Sequence, residues 1–434
     1  MTAALTPSAT SAPGRPAHRD RNVLRWLAGY TSSMAGDNVY YVALSWAAVQ
    51  AGSPSQAGLV MSASALPRAV LLLGGGVVAD RFGPRRVVIA SDAVRCTAVL
   101  AVAALLYTTR PGLWPLALLA LVFGIVDAVF LPAVGALPAR ITGREQLARV
   151  QGMRGLGLRC ATVVGAPLGG LCVAAGGAAA AFGLAGLLIA ASVPLLVLVR
   201  ERQPAPDDDT TAPRPADTTA PRPAGTAAAR PGTAWRDLLA GVRYIRGHRV
   251  LGPLMVAIAL GDLGFVGPLN VGLTLLADQR GWGASGVGWV LAGFSVGAGG
   301  ASLLLAVRGR LPHAGQLAGY TILAGSVAIG ALAQLPGIAG GVLVALLIGL
   351  FTGLSGALCG ALLQTHADPV YLGRVTSVAS LASLGLAPLS MPLAAAAIGT
   401  WGTGPVFAGS AAVCGLGGVV ALCVPGLRRA ELPR

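Results

Sequence analysis

Three aspartates lie near the middle of long apolar segments: Asp37, Asp127 and Asp262. A charged side chain at the centre of a bilayer is unfavourable by about 2.5 to 3.5 kcal/mol, and the few that occur there mark paths for ions or substrates. A carboxylate in such a low-dielectric site can take up a proton from one side and release it to the other. The three residues therefore predict proton coupling, with a cationic amphiphile competing for the same charge. The alternative is that arginines or backbone amides neutralise them and that they only fix helix packing.

Arginines occur in the same apolar segments and bear on both alternatives. Arg95 follows Asp92 by three residues, so the two side chains share a helix face and predict a structural pair. Arg68 has no acidic neighbour in its own segment and must meet Asp37, Asp127 or an anion on the substrate. A paired Arg68 predicts a latch, whereas an unpaired one in the cavity predicts an acidic cargo.

Aromatic and amide side chains lie within about one helical turn of the acidic positions. Such residues favour a chamber for a bulky amphipathic ligand, although each one alone is also typical of ordinary helix packing. The predicted lining comprises Tyr40, Tyr41, Arg68, Phe123, Phe130, Phe265 and Asn270.

The segments that position these residues are long enough to cross a membrane, which takes about 20 apolar residues. They predict twelve transmembrane helices, six before and six after a polar linker. The predicted spans lie near residues 25–49, 57–79, 87–108, 113–138, 152–175 and 178–199, and then near 250–276, 284–306, 315–335, 338–362, 375–399 and 404–425.

Composition supports a membrane protein and argues against a soluble one. The chain is 55% hydrophobic and 11% charged, with a mean hydropathy of +0.72, whereas soluble domains hold about 25% charged residues. The net charge of +15 comes from arginine alone, and these arginines cluster in alternate connections between the spans. By the positive-inside rule this pattern predicts a multi-pass protein of the cell membrane with both termini in the cytoplasm, and it disfavours nucleic acid as a partner.

The two halves carry an internal repeat. Gly36-Asp37 recurs as Gly261-Asp262, and Arg149-Val150 recurs as Arg374-Val375, each displaced by 225 positions. Because six spans separate the copies, both halves have the same orientation. The sequence thus predicts an all-α membrane protein built from two parallel six-helix repeats, in which Asp37 and Asp262 occupy equivalent positions.

A charged connection between the second and third spans carries the most specific motif. Its pattern is Gly-x-x-x-Asp-Arg-x-Gly-x-Arg-Arg, formed by Gly76, Asp80, Arg81, Gly83, Arg85 and Arg86. It resembles the loop between helices 2 and 3 of the major facilitator superfamily. The resemblance implies a cytoplasmic gate in which Asp80 packs against the start of helix 11, near Arg374 and Val375. It also implies that helices 1, 4, 7 and 10, which include all three aspartates, line one central cavity.

A second likeness concerns the direction of transport. The segment from Gly165 to Gly170 resembles the antiporter motif of helix 5, but is one residue shorter after its proline. Together with Gly36-Asp37 and the stretch from Leu137 to Arg149, it is similar to the drug:proton antiporter branch that includes macrolide-efflux proteins and enterobactin exporters. The resemblance implies proton-coupled efflux of an amphipathic antibiotic, secondary metabolite or drug by alternating access. A siderophore exporter or a nutrient importer on the same fold is the alternative, and a non-transporting sensor or scaffold is the alternative of another class.

The remaining predictions concern organisation and partners. No nucleotide loop and no metal-ligand cluster occurs in the sequence, so neither an enzyme nor a cofactor or metal is expected. The expected partners are protons, a small-molecule substrate and the lipid bilayer, and the protein is expected to be a monomer. The predicted parts are an N-terminal cytoplasmic tail (1–24), a six-helix bundle (25–199), a disordered linker (200–234), an amphipathic cytoplasmic helix (235–248), a second bundle (249–425) and a C-terminal tail (426–434).

Overall fold

The computed structural model describes residues 19–109, 112–143, 146–201, 234–308, 313–368 and 371–431. Most of the predicted linker, most of the N-terminal tail and the end of the C-terminal tail lie outside these ranges. Every regular element within them is helical, which confirms the predicted all-α class. In chain order the elements are α1 (Arg21–Ala51), α2 (Pro54–Phe82), α3 (Pro84–Thr108), α4 (Trp114–Ile141), α5 (Leu147–Val197), α6 (Ala234–Gly247), α7 (Leu251–Gly267), a π-helical segment (Pro268–Gly272), α8 (Leu273–Gln279), α9 (Gly283–Arg308), α10 (Ala314–Leu332), α11 (Ile338–His366), α12 (Leu372–Trp401), α13 (Thr403–Cys423) and α14 (Pro425–Arg428).

The helix α5 consists of two antiparallel arms joined at Gly177. That residue has φ +74°, a left-handed conformation that glycine adopts without strain. The first arm packs on α1 at Gly165, close to Ala35, and the second arm meets Gly36 of α1 through Ile189. Because both arms contact the same turn of α1, the chain reverses at Gly177, and α5 contains the fifth and sixth predicted spans.

Nine helices in the described ranges are long and apolar enough to cross a membrane by length and composition. The count treats the two arms of α5 as one span and does not include α1 or α2. In α1, the run from Thr31 to Ser33 and the pair Asp37-Asn38 lower the hydropathy. By this measure the predicted number of twelve transmembrane helices is therefore not confirmed. The prediction of a multi-pass membrane protein is confirmed.

The two halves pack their helices in the same pattern, as the repeat predicts. In the first half α4 lies so close to α2 that a side chain on Gly124 would meet the Ser64 carbonyl oxygen at 2.2 Å. In the second half the equivalent Gly349, on α11, would meet the Phe294 carbonyl oxygen of α9 at 1.9 Å. Glycine thus permits equivalent backbone contacts in both halves.

The halves meet toward one end of the bundle. We call the end that holds the start of α1 and the end of α5 the proximal end, and the opposite one the distal end. Near the distal end, the Gln50 side-chain amide donates to Asp278 at 2.6 Å across the halves. There α5 and α9 also approach closely, since a side chain on Gly288 would meet the Ala166 carbonyl oxygen at 2.4 Å.

The amphipathic segment before the second half forms α6 and packs against protein. Gly241 lies beside Arg374 of α12, and a Cβ there would be 3.2 Å from its Cβ atom. The Tyr244 ring stacks on Tyr371 with centroids 4.5 Å apart, and Ile245 is buried. This face of α6 is therefore covered by the start of α12.

Candidate functional site

A single guanidinium joins three carboxylates within the described apolar helices. Arg95 of α3 contacts Asp37 of α1 at 2.7 Å and Asp127 of α4 at 3.4 Å, and it also pairs with Asp92 in its own helix. The Arg95 side chain is fully buried. Asp92 lies one turn before it on the same face, as predicted, but the pair is part of a network that links α1, α3 and α4.

Within this network Asp92 has its hydrogen bonds satisfied. The Ser33 hydroxyl donates to one of its carboxylate oxygens at 3.0 Å, and the Ser192 hydroxyl donates to the other. Asp92 is completely buried. A buried carboxyl group whose oxygens are held by a guanidinium and two hydroxyls has its polar atoms satisfied, which suits a structural role.

Asp37 and Asp127 are less constrained. Their side chains are 25% and 22% exposed, and both depend on the same nitrogen of Arg95. Asp127 also faces Arg68 of α2 at 3.7 Å, so Arg68 is paired. One carboxylate oxygen of Asp37 and the hydroxyl of Tyr40 are buried without a hydrogen-bond partner among the described residues. These two aspartates are therefore held by fewer contacts than Asp92.

The aromatic residues of the first half occupy positions different from those expected. Tyr40, Phe123 and Phe130 are only 5%, 2% and 1% exposed. The Tyr40 ring stacks on Phe123 with centroids 3.8 Å apart, and the Arg95 guanidinium lies 4.0 Å from the centroid of Phe130. In this conformation they fill the core and cover the buried cation, instead of lining a cavity, because their helix faces turn toward neighbouring helices.

Asp262 lies in the second half and faces a cavity of about 480 Å³. The Ser383 hydroxyl of α12 donates to its carboxylate. Phe265 lines the same cavity one turn further along α7, and Phe294 of α9 lies 5.7 Å from it between ring centroids. The cavity lining includes Asp262 but not Asp37. The structure therefore does not bring the repeat-related carboxylates together around this cavity.

Tyr41 and Asn270 form a contact between the halves. The Tyr41 hydroxyl donates to the side-chain oxygen of Asn270, which lies in the π-helical segment. The Asn270 amide in turn donates to the Val266 carbonyl at 2.6 Å. Isolated π-helical turns often occur at functional sites. These two predicted cavity residues thus join α1 to the second half.

The loop after α2 turns at Gly83, whose φ of +84° requires a residue without a side chain. Arg85 donates to the carbonyl oxygens of Leu196 and Val197, at 3.4 and 2.6 Å. Arg81 and Arg86 are exposed. The side-chain surroundings of Gly76 and Asp80 lie outside the described part of the chain, so the predicted latch stays a prediction.

Arg159 and Ser383 are among the residues of these sites that were not predicted as site residues. Arg159, on the first arm of α5, lines the Asp262 cavity, and Ser383 contacts Asp262 directly. An arginine inside an apolar span is a signal that could have identified the first. A serine in an alanine-rich helix gives no such signal.

Comparison with known proteins places the chain among transporters. An enterobactin exporter of Shigella boydii serotype 18 is 27% identical over 330 residues, covering 74% of this chain and 72% of that protein. An enterobactin exporter of Escherichia coli O81 matches to the same extent.

Solved structures show the same fold at low identity. A POT family transporter in complex with 5-aminolevulinic acid has 12% identity and a TM-score of 0.69, covering 94% of this chain and 96% of that one. The human organic anion transporter MFSD10 has 16% identity and a TM-score of 0.59, covering 94% of this chain and 100% of that one. The sequence model described as Major Facilitator Superfamily matches residues 26–383. The chain therefore belongs to the major facilitator superfamily and is a multi-pass membrane transporter.

Proposed function

We propose that the protein exports an amphipathic small molecule from the cytoplasm in exchange for protons. One observation carries the proposal: three carboxylates and two guanidiniums lie together within the apolar helices of the first half. Since Asp92 is saturated, the excess negative charge falls on Asp37 and Asp127. One proton neutralises the cluster, which makes these two residues the proton-binding candidates of that half.

Asp262 is the candidate in the second half. It accepts a hydrogen bond from Ser383 and makes no ion pair within the described ranges. A carboxylate beside a cavity of this size, without a cationic partner, can hold either a proton or a polar group of the substrate. Competition between the two at this position would link substrate release to proton uptake.

The distal contact between the halves supports alternating access. If the arginine distribution has the orientation that the positive-inside rule predicts, the distal end faces outward and is closed here by Gln50 with Asp278 and by Tyr41 with Asn270. The proximal loop with Arg81, Gly83, Arg85 and Arg86, together with Gly76 and Asp80, would then form the cytoplasmic gate.

Proteoliposomes with an imposed proton gradient test this proposal. Accumulation of fluorescent amphiphiles such as ethidium and berberine is expected when the lumen is acidic, and a protonophore is expected to abolish it. Asp37→Asn and Asp262→Asn are expected to abolish the gradient-driven part, because an amide cannot exchange a proton. Asp20→Asn is the matched control, since asparagine can still cap α1. Unchanged coupling in both test variants would refute the assignment.

Siderophore export is the second candidate, and the similarity to enterobactin exporters favours it. A catecholate siderophore in the same proteoliposomes separates the two candidates. Gradient-driven movement of the catecholate alone would favour siderophore export over efflux of amphiphiles.

A further inference from the structure

The cavity beside Asp262 carries two opposite charges that form no ion pair with any of the described residues. Arg159 and Asp262 both line it. The Asp262 carboxylate accepts a hydrogen bond from the Ser383 hydroxyl. Arg159, in contrast, makes no ion pair and no hydrogen bond among the described residues. Water can solvate both groups while the cavity is empty. A ligand that displaces this water must replace its interactions with each charge.

This requirement restricts the chemistry of the ligand. A neutral ligand would leave two charges without partners, and a singly charged one would leave the other charge unpaired. Leaving a charge desolvated and unpaired is strongly unfavourable, whereas an ionised hydrogen bond is stronger than a neutral one. While Asp262 is ionised, only a ligand with both an anionic group and a cationic or hydrogen-donating group satisfies both ends.

The remaining lining indicates what lies between the two groups. Phe265 and Phe294, whose ring centroids lie 5.7 Å apart, both line the cavity, and Ser302, Thr352 and Ser355 are also among its lining residues. Aromatic faces favour a flat or aromatic body. A volume of about 480 Å³ falls within the range of about 300 to 1,000 Å³ that is typical of small-molecule sites.

We propose that this cavity binds an amphoteric aromatic compound, with Arg159 holding its anionic group and Asp262 its ammonium or donor group. The inference rests on the proposed transport function and defines the substrate class at the same site. Arg159 is the one described lining residue that the first half contributes. The bound ligand thereby connects the two halves, which gives substrate binding a direct influence on their relative position.

Equilibrium binding to the purified protein in nanodiscs tests the proposal with three related probes. Ciprofloxacin is a zwitterion at neutral pH, its methyl ester lacks the anionic group, and its N-acetyl derivative lacks the cationic one. Fluorescence anisotropy measures the affinity of each probe without any proton gradient, so proton coupling can fail while this test succeeds. The wild type is expected to bind the zwitterion at least about tenfold more tightly than either derivative, as charged hydrogen bonds imply.

The variants assign each charge to its partner. Arg159→Gln is expected to remove the preference for the free acid over the ester and to keep the preference for the free amine. Asp262→Asn is expected to remove the preference for the free amine over the N-acetyl derivative and to keep the preference for the free acid over the ester. Arg140→Gln, an exposed arginine outside the cavity, is the matched control and is expected to keep both preferences. Equal affinity of the three probes for the wild type, absence of binding, or an equal loss for all probes in Arg159→Gln would overturn the proposal.

Discussion

Arg95 shows at the residue scale how the first half tolerates charges in apolar surroundings. Its guanidinium is fully buried yet meets three carboxylates and the face of Phe130. Desolvation of such an ion costs several kcal/mol, and good geometry with several partners offsets it. The network is therefore an interdependent unit, in which removal of the cation leaves uncompensated carboxylates.

Replacement of Arg95 tests this interdependence. Arg95→Gln is expected to destabilise the folded protein by about 3 to 5 kcal/mol, because Asp92 stays buried without its cation. The double variant Arg95→Gln with Asp92→Asn is expected to recover part of the lost stability. Thermal unfolding in detergent measures both, with Arg140→Gln as the control. A double variant that is less stable than Arg95→Gln alone would contradict the network interpretation.

The sequence was informative about which residues carry charge, and less so about which residues they meet. Asp37, Asp127 and Asp262 are conspicuous because charges in apolar spans are rare, and the pair of Asp92 with Arg95 follows from helical spacing. That Arg95 also reaches α1 and α4 depends on the depth and rotation of three helices, which spacing within one segment does not determine. The same rotation places Phe123 and Phe130 in the core.

At the scale of elements, two interruptions within long apolar helices shape the architecture. The turn at Gly177 reverses α5 within an uninterrupted apolar run, and the π-helical segment interrupts the seventh span around Asn270. The sequence predicted two spans on either side of Gly177, near residues 152–175 and 178–199, because one crossing takes about 20 apolar residues. Nothing in the pattern around Asn270 predicted a π-helical turn, since such a turn depends on the packing around it.

The start of α7 is capped by a histidine, which makes this element sensitive to pH. The backbone amides of Val250 and Leu251 both donate to Nδ1 of His248, each at 3.2 Å. Burial lowers the pKa of His248, and the nearby charge of His366 lowers it further. The folded state thus binds fewer protons than the unfolded state, so the cap stabilises the fold above the ordinary pKa of about 6.5 and is lost as the pH falls below it.

His248→Ala is expected to lower stability by about 1 kcal/mol near neutral pH, as loss of a helix cap does. The difference from the wild type is expected to vanish in mildly acidic solution, where protonated Nδ1 can no longer accept. Thermal unfolding of both proteins between neutral and mildly acidic pH measures this difference in stability. His366→Ala is the companion variant, and it is expected to move the transition to higher pH because a positive neighbour is removed. A difference that is independent of pH would show that the imidazole acts only through packing.

At the scale of the whole molecule, the structure is one state of a pair of halves joined at the distal end. The join combines polar contacts, such as Gln50 with Asp278, with close backbone packing of α5 on α9. The glycine-rich segment from Gly165 to Gly170 packs against a helix of each half. Gly165 faces α1, and Gly170 faces Ala284 of α9. The motif that the sequence associated with antiport therefore occupies a contact that would have to open in the proposed alternating-access cycle.

Two glycines of α9 test whether this contact holds the distal end closed. A side chain on Gly288 would meet the Ala166 carbonyl oxygen at 2.4 Å, whereas Gly299 has no atom within 4 Å of the added position. Gly288→Ala is expected to force α5 and α9 apart and to shift the population toward the distal-open state, by about 5- to 150-fold for a steric cost of about 1 to 3 kcal/mol. Gly299→Ala makes the same change in the same helix and is expected to leave the population unchanged. Spin labels at Thr109 and Gln334, in a variant without the native cysteines, report the distance across the distal end. Identical distance distributions in the two variants would mean that contacts other than the packing of α5 on α9 keep the halves together.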